Sequence, residues 1–196
     1  MSNELPESLA ISINPRGNIL GDACDTDFVE CHAAFWASST STPVTLASPG
    51  GQFIYTAVAF SSDTTTDPAL NNAGSMVGYA YNSDFSETHA IFWASSTSPA
   101  VILSTTDDFS NGTAEGINDK GQIVGTAYNS DFSDSHAFMW PNSNSPGIDL
   151  NTLIPPDSGW ELQIARCVNN RGEITGTGLL NGIQTAYALI PAHGSR

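Results

Sequence analysis

Apolar positions along this chain fall in short bursts, and the bursts recur. Four segments share one pattern: Ile13-Asn-Pro-Arg-Gly-Asn-Ile-Leu-Gly21, Leu70-Asn-Asn-Ala-Gly-Ser-Met-Val-Gly78, Ile117-Asn-Asp-Lys-Gly-Gln-Ile-Val-Gly125 and Val168-Asn-Asn-Arg-Gly-Glu-Ile-Thr-Gly176. They lie roughly fifty residues apart, the spacing of a tandem structural repeat. A second block follows each of the first three: His32-Ala-Ala-Phe-Trp36, His89-Ala-Ile-Phe-Trp93 and His136-Ala-Phe-Met-Trp140. The fourth copy has Ala186-Tyr-Ala-Leu-Ile190 in that place. A third block appears as Val44-Thr-Leu46, Val101-Ile-Leu103 and Ile148-Asp-Leu150.

Each block predicts an element. Asn-x-x-Gly between apolar stretches is a tight hairpin: Asn suits the first position of a type I turn, and Gly supplies the positive φ of the bulge that follows. Pro15 fits the second turn position, where its fixed φ is preformed. Adjacent apolar pairs such as Ile19-Leu20, Met76-Val77 and Ile123-Val124 put bulk on both faces of a strand. Phe35-Trp36, Phe92-Trp93 and Met139-Trp140 do the same in the next strand. Sheets that are apolar on both faces must be covered on both. The composition offers no helices for that task, being poor in charged helix formers and rich in Ser, Thr, Asn and Gly. Small sheets must then stack on one another.

The expected fold is therefore one all-β repeat domain over residues 1–196. It is β-propeller-like, with about four blades of antiparallel strands and units near 8–50, 51–106, 107–156 and 157–191. An open solenoid of hairpins or a β-sandwich is the alternative. The last unit ends without a fourth strand of its own, and residues near the N-terminus are candidates to supply it.

The pattern Gly116 to Gly125 followed by His136-Ala-Phe-Met-Trp140 resembles the HAF repeat, a family of bacterial extracellular proteins named for its His-Ala-Phe tripeptide. Asp149-Leu-Asn-Thr-Leu-Ile-Pro155, Ser158-Gly-Trp160 and Asn181-Gly182 are similar to the usual end of such proteins. His-Ala-Phe is intact only at His136; the other copies read His-Ala-Ala and His-Ala-Ile, and the fourth has no His. The resemblance implies a propeller-like fold and a secreted or surface location, and it brings no catalytic residues and no ligand.

Charge narrows the partners. A formal charge of −15 repels phosphate backbones, so nucleic acid is not an expected partner. The longest apolar run, Ile54 to Phe60, is far short of a membrane span of about 20 residues. Met1 to Glu7 has neither the basic start nor the apolar stretch of a signal peptide, so cytoplasmic location is the alternative to secretion. Cys24 and Cys31 flank a short acidic loop and are placed either to form a disulfide or to remain thiols. Cys167 is expected as a small buried residue.

Candidate chemistry centres on the loop between the second and third strands. It reads Tyr81-Asn-Ser-Asp-Phe-Ser-Glu-Thr-His89 and Tyr128-Asn-Ser-Asp-Phe-Ser-Asp-Ser-His136, with Cys24-Asp-Thr-Asp-Phe-Val-Glu-Cys-His32 as the first copy. Asp27, Phe28, Asn82, Asp84, Phe85, Asn129, Asp131 and Phe132 are the candidate ligand-binding residues: an aromatic tip beside a carboxylate, repeated on one face, suits contact with a protein or glycan. The same oxygens suit Ca²⁺, which takes six to eight oxygen ligands. The plainer reading makes Asp the turn former and tucks Phe under the loop. His32, His89 and His136 start third strands, and a bond to a nearby carbonyl or carboxylate explains them without a metal. Trp36, Trp93 and Trp140 recur at one position and are expected between sheets, whereas Trp160 breaks the pattern.

No nucleophile elbow, zinc-protease helix or phosphate loop is present. The expected function is a non-catalytic binding module of a secreted or surface repeat protein. An acidic intracellular inhibitor of a basic partner and a glycoside hydrolase are the alternatives.

Overall fold

The computed structural model describes residues 7–26, 30–58 and 69–192. These fold into four antiparallel sheets, each a meander of consecutive strands. The first sheet holds β1 (Glu7–Ile13), β2 (Ile19–Cys24), β3 (Cys31–Trp36) and β4 (Val44–Thr45). The second holds β5 (Tyr55–Ala57), β6 (Met76–Tyr81), β7 (Thr88–Trp93) and β8 (Val101–Ile102). The third holds β9 (Asn111–Ile117), β10 (Ile123–Tyr128), β11 (Ser135–Trp140) and β12 (Ile148–Asp149). The fourth has three strands, β13 (Trp160–Val168), β14 (Ile174–Leu180) and β15 (Ile183–Leu189). One 3-10 turn, Leu150–Leu153, follows β12, and no α-helix occurs among the described residues. The all-β expectation and the incomplete fourth unit both hold. The N-terminal segment from Glu7 does not complete the fourth sheet; it forms the first strand of the first.

The Asn-x-x-Gly turns form as their chemistry dictates. The N–H of Gly17, Gly74, Gly121 and Gly172 donates to the carbonyl of Asn14, Asn71, Asn118 and Asn169 respectively. Each of these glycines has φ between the 79° of Gly121 and the 92° of Gly74. The glycine that ends each motif has a different reason. The first strand bulges opposite it, at Ile11, Glu115 and Arg166 in the first, third and fourth units. That bulge presses a carbonyl onto the second strand. A Cβ on Gly21, Gly78, Gly125 or Gly176 would run into the carbonyl oxygen of Leu9, Ala57, Thr113 or Ile164.

Consecutive sheets stack face to face. β3 packs on β5, β6 and β7 pack on β9, and β10 and β11 pack on β13. The core lies in these interfaces. Trp93, Trp140, Phe138, Leu20, Met76, Ile91, Ile117 and Ile123 are fully buried there. Two hydrogen-bond series sew the stack. The Trp93 indole N–H donates to the Ala47 carbonyl of the preceding unit, and Trp140 to that of Ser104, both at 2.7 Å. At the turns, Asn14 Nδ2 donates to the Asn71 carbonyl at 3.1 Å, Asn71 to Asn118 at 3.1 Å, and Asn118 to Asn169 at 2.8 Å. Meanwhile each Asn Oδ1 accepts two backbone N–H groups of its own turn, such as those of Lys120 and Gln122 for Asn118. The crossing series stops at Asn169, whose Nδ2 makes only the within-turn bond, to Glu173, that Asn14 and Asn118 also make to Asn18 and Gln122.

Cys24 and Cys31 are joined in a disulfide at directly paired positions of β2 and β3. Cys167 is half-buried, not buried as expected: it sits on the face of β13 opposite the one that fills the core, next to exposed Thr175.

Candidate binding face

In an antiparallel meander, alternate connections lie at opposite ends of the sheet. The Asn turns therefore mark one end of each sheet, and the loops joining second to third strands mark the other. Two side chains from first strands hold neighbouring loops together at that end. Asn111 Oδ1 accepts from the Thr88 N–H at 2.9 Å, and its Nδ2 donates to the Asn129 carbonyl at 3.2 Å. One amide thus ties the end of the second unit's loop to the start of the third's. Tyr55 reaches the Glu30 carboxylate at 3.4 Å, linking the first loop to the second unit. Gln52 donates to Glu87.

Within each loop the polar candidates act locally. Asn82 Oδ1 accepts from the Glu87 N–H, and its Nδ2 donates to the Ser86 hydroxyl. Asp84 Oδ1 accepts from both the N–H and the hydroxyl of Ser86, at 3.1 and 2.8 Å. Asn129, Asp131, Ser133 and Asp134 repeat the arrangement bond for bond. The Ser86 hydroxyl and then its N–H hold the Asp84 carboxyl below the usual range, and Ser133 does the same for Asp131. These four residues are therefore loop formers, each with one carboxylate or amide edge committed inward. Among the described residues no three acidic, His or Cys side chains gather as a metal cluster. Asp27 and Phe28 lie outside the described residues.

The two phenylalanines behave differently. Phe85 and Phe132 have φ of 60° and 58°, a left-handed conformation that β-carbon sterics disfavour by roughly 1–2 kcal/mol. The N–H of each closes the turn onto the Asn82 or Asn129 carbonyl. Their rings are displayed, 56% exposed at Phe85 and 37% at Phe132. Each leans on the tyrosine that begins its loop. Phe85 stacks on Tyr81 at 5.0 Å with the rings 17° from parallel, and Phe132 lies 5.6 Å from Tyr128 at 40°. Tyr81 in turn stacks on Tyr55 at 5.4 Å and neighbours Tyr79. The result is a run of rings, Tyr79, Tyr81 with Tyr55, and Phe85, that climbs from the core to the loop tip. Burial pushes the Tyr81 hydroxyl up to about 12, so it stays a protonated donor.

The histidines start their strands as expected, but their surroundings diverge. His89 meets the edge of Phe53 at 4.4 Å, and burial draws its pKa below the ordinary value. Burial also lowers His32. His136 packs at a tilt against Phe109 and bonds Asp149 through Nδ1 at 2.7 Å, and that bond raises its pKa. Trp93 and Trp140 are buried between sheets, while Trp36 is half-exposed. Trp160 is half-buried, edge-on to Tyr187.

Tyr55 and Asn111 carry no repeat signature, and nothing in the sequence singled them out. Tyr81 and Tyr128 stood at the head of both loops, and their period was the available signal. Compared with known protein families, with curated proteins and with solved structures, the chain matches none.

Proposed function

We propose that this chain is a non-catalytic interaction module of a secreted or surface-displayed bacterial repeat protein of the HAF type, and that it recognises a protein or glycan through its loop end. The observation that carries the reading is the pair of strained, displayed phenylalanines. A glycine would relieve the strain at positions 85 and 132, yet both loops keep a ring there and brace it on a tyrosine. The polar side chains around each ring are used to fix the loop, so the ring is what the loop presents. Rigid aromatic tips make large contacts at low entropic cost. The carboxylates of Glu87 and Asp134, exposed beside the rings, favour a partner that is neutral or basic.

The arrangement that best joins these parts is a propeller-like arc of four blades. Supporting it, Asn14, Asn71, Asn118 and Asn169 from all four units border one depression of about 440 Å³ at the turn end. The disulfide supports an oxidising compartment, since such bonds persist outside the reducing cytosol. Binding of the wild-type protein and of F85A/F132A to an array of bacterial and host-surface glycans and extracellular proteins tests the function. The wild type should retain a partner that the double variant loses by more than tenfold. A partner held equally well by both overturns the loop reading.

A further inference from the structure

The same cross-strand row can be followed through all four sheets, on the face that looks toward the preceding unit. It is Leu70, Met76 and Trp93 in the second sheet, and Ile117, Ile123 and Trp140 in the third. Every one of these six is at most 4% exposed. In the fourth sheet, Val168 and Ile174 are likewise buried. In the first sheet the row is Ile13, Ile19 and Trp36. There Ile13 is 69% exposed, and Ile19 and Trp36 are half-buried.

The hydrogen-bond series stop at the same place. Trp93 and Trp140 each reach a carbonyl of the unit before them, whereas among the described residues the Trp36 indole meets no acceptor. The carbonyls of Asn71, Asn118 and Asn169 each receive the amide of the unit before, whereas the Asn14 carbonyl receives only its own turn's Gly17 N–H. The opposite end of the stack is finished. The apolar pairs Leu20–Phe35, Val77–Phe92 and Val124–Met139, which face the next unit, give way to exposed Thr175–Ala188. Among the described residues the Asn169 amide makes only its within-turn bond to Glu173, the kind that Asn14 makes to Asn18 and Asn118 to Gln122, and no crossing bond. Terminal units with a polar outer face are how stacked repeats end.

We infer that the Ile13–Ile19–Trp36 face is a docking surface for a further unit of this same repeat, stacked ahead of the first sheet. The occupant is specified by what the face lacks. It presents an apolar pair in the place of Leu20–Phe35, an Asn whose Nδ2 reaches the Asn14 carbonyl, and a backbone carbonyl that receives the Trp36 indole. The fourth sheet of a second copy does not meet the first of these needs, because exposed Thr175–Ala188 stands where the apolar pair is required. The inference is independent of the phenylalanine loops.

A tandem variant tests it: residues 51–106 duplicated and joined directly ahead of residue 8, compared with the four-unit protein. In the tandem protein the Trp36 indole N–H, followed by NMR, should exchange with solvent at least ~10-fold more slowly, like those of Trp93 and Trp140. I13D should barely move the melting temperature of the four-unit protein and should lower that of the tandem protein by several degrees. Unchanged Trp36 exchange, or I13D acting equally in both, overturns the inference. A wild-type dimer in light scattering that I13D dissociates also overturns it, by making a second copy the occupant.

Discussion

The turn end and the loop end of this molecule are built from the same residues and behave differently. Both place an asparagine at the head of a tight turn, and in both its Oδ1 accepts backbone N–H groups of that turn. At the turn end, Nδ2 then crosses to the next unit: Asn118 reaches the Asn169 carbonyl. At the loop end it stays at home: Asn129 bonds Ser133, four residues on. One end is a continuous seam of asparagine amides, and at the other the tip side chains bond within their own loops while Asn111 and Tyr55 tie the loop bases together. Sequence can therefore change at the tips without disturbing the stack, and binding surfaces collect on such positions.

The strongest test of the contrast is Asn118→Ala. It removes the acceptor of two N–H groups and a donor to the next unit at a buried site, and should cost about 2–4 kcal/mol in denaturant unfolding. Asn129→Ala, at a half-exposed position that accepts one backbone N–H instead of two and makes no crossing bond, should cost only about 1 kcal/mol. Equal losses would mean that neither the crossing amide bond nor the burial of the turn end adds stability. The N71A/N118A double variant should depart from additivity, because the Asn71 amide bonds the turn that Asn118 organises.

A smaller effect is expected at the tips. Phe85→Gly should be more stable than Phe85→Ala by roughly 1 kcal/mol, because both lose the stack on Tyr81 and only glycine relaxes the left-handed backbone. Thermal melts of the two variants decide it.

The smallest effect is read by sign. His136 has its pKa raised by the Asp149 bond, so its contribution is complete below its unfolded value near 6.5 and fades as pH rises through the folded value. His89 has its pKa lowered by burial, so its neutral form is favoured, and stability is lost as pH falls below about 6.5. Denaturation of wild type, H136N and H89N across pH 5 to 8 should show the wild-type advantage over H136N shrinking with pH and that over H89N growing.

Much of the scaffold was legible because its signals are local. A turn needs Asn and Gly at fixed offsets, and a two-faced strand needs adjacent apolar residues, so both appear in any single copy. What escaped depends on neighbours. The second job of Asn14, Asn71 and Asn118 lies in the adjoining unit. The closing glycines answer to a bulged carbonyl on the strand beside them. Asp149 was invisible as a histidine partner because the equivalent positions hold Thr45 and Ile102. At the candidate site the loops were legible as repeats, but the division of labour within them was not. Nothing in Asp-Phe states that Phe takes the left-handed position and leaves Asp to the turn.

The seam of asparagine amides also has a direction, from each unit to the one after it. On a chain made from its N-terminus, every completed unit offers a donor and waits for a carbonyl still to be synthesised. Asn18, Gln122 and Glu173 give the first, third and fourth amides an acceptor in their own turns as well, and at the fourth that local bond is the one the amide makes among the described residues. Assembly of the seam thus follows the ribosome, and its last stitch is tied within a single turn.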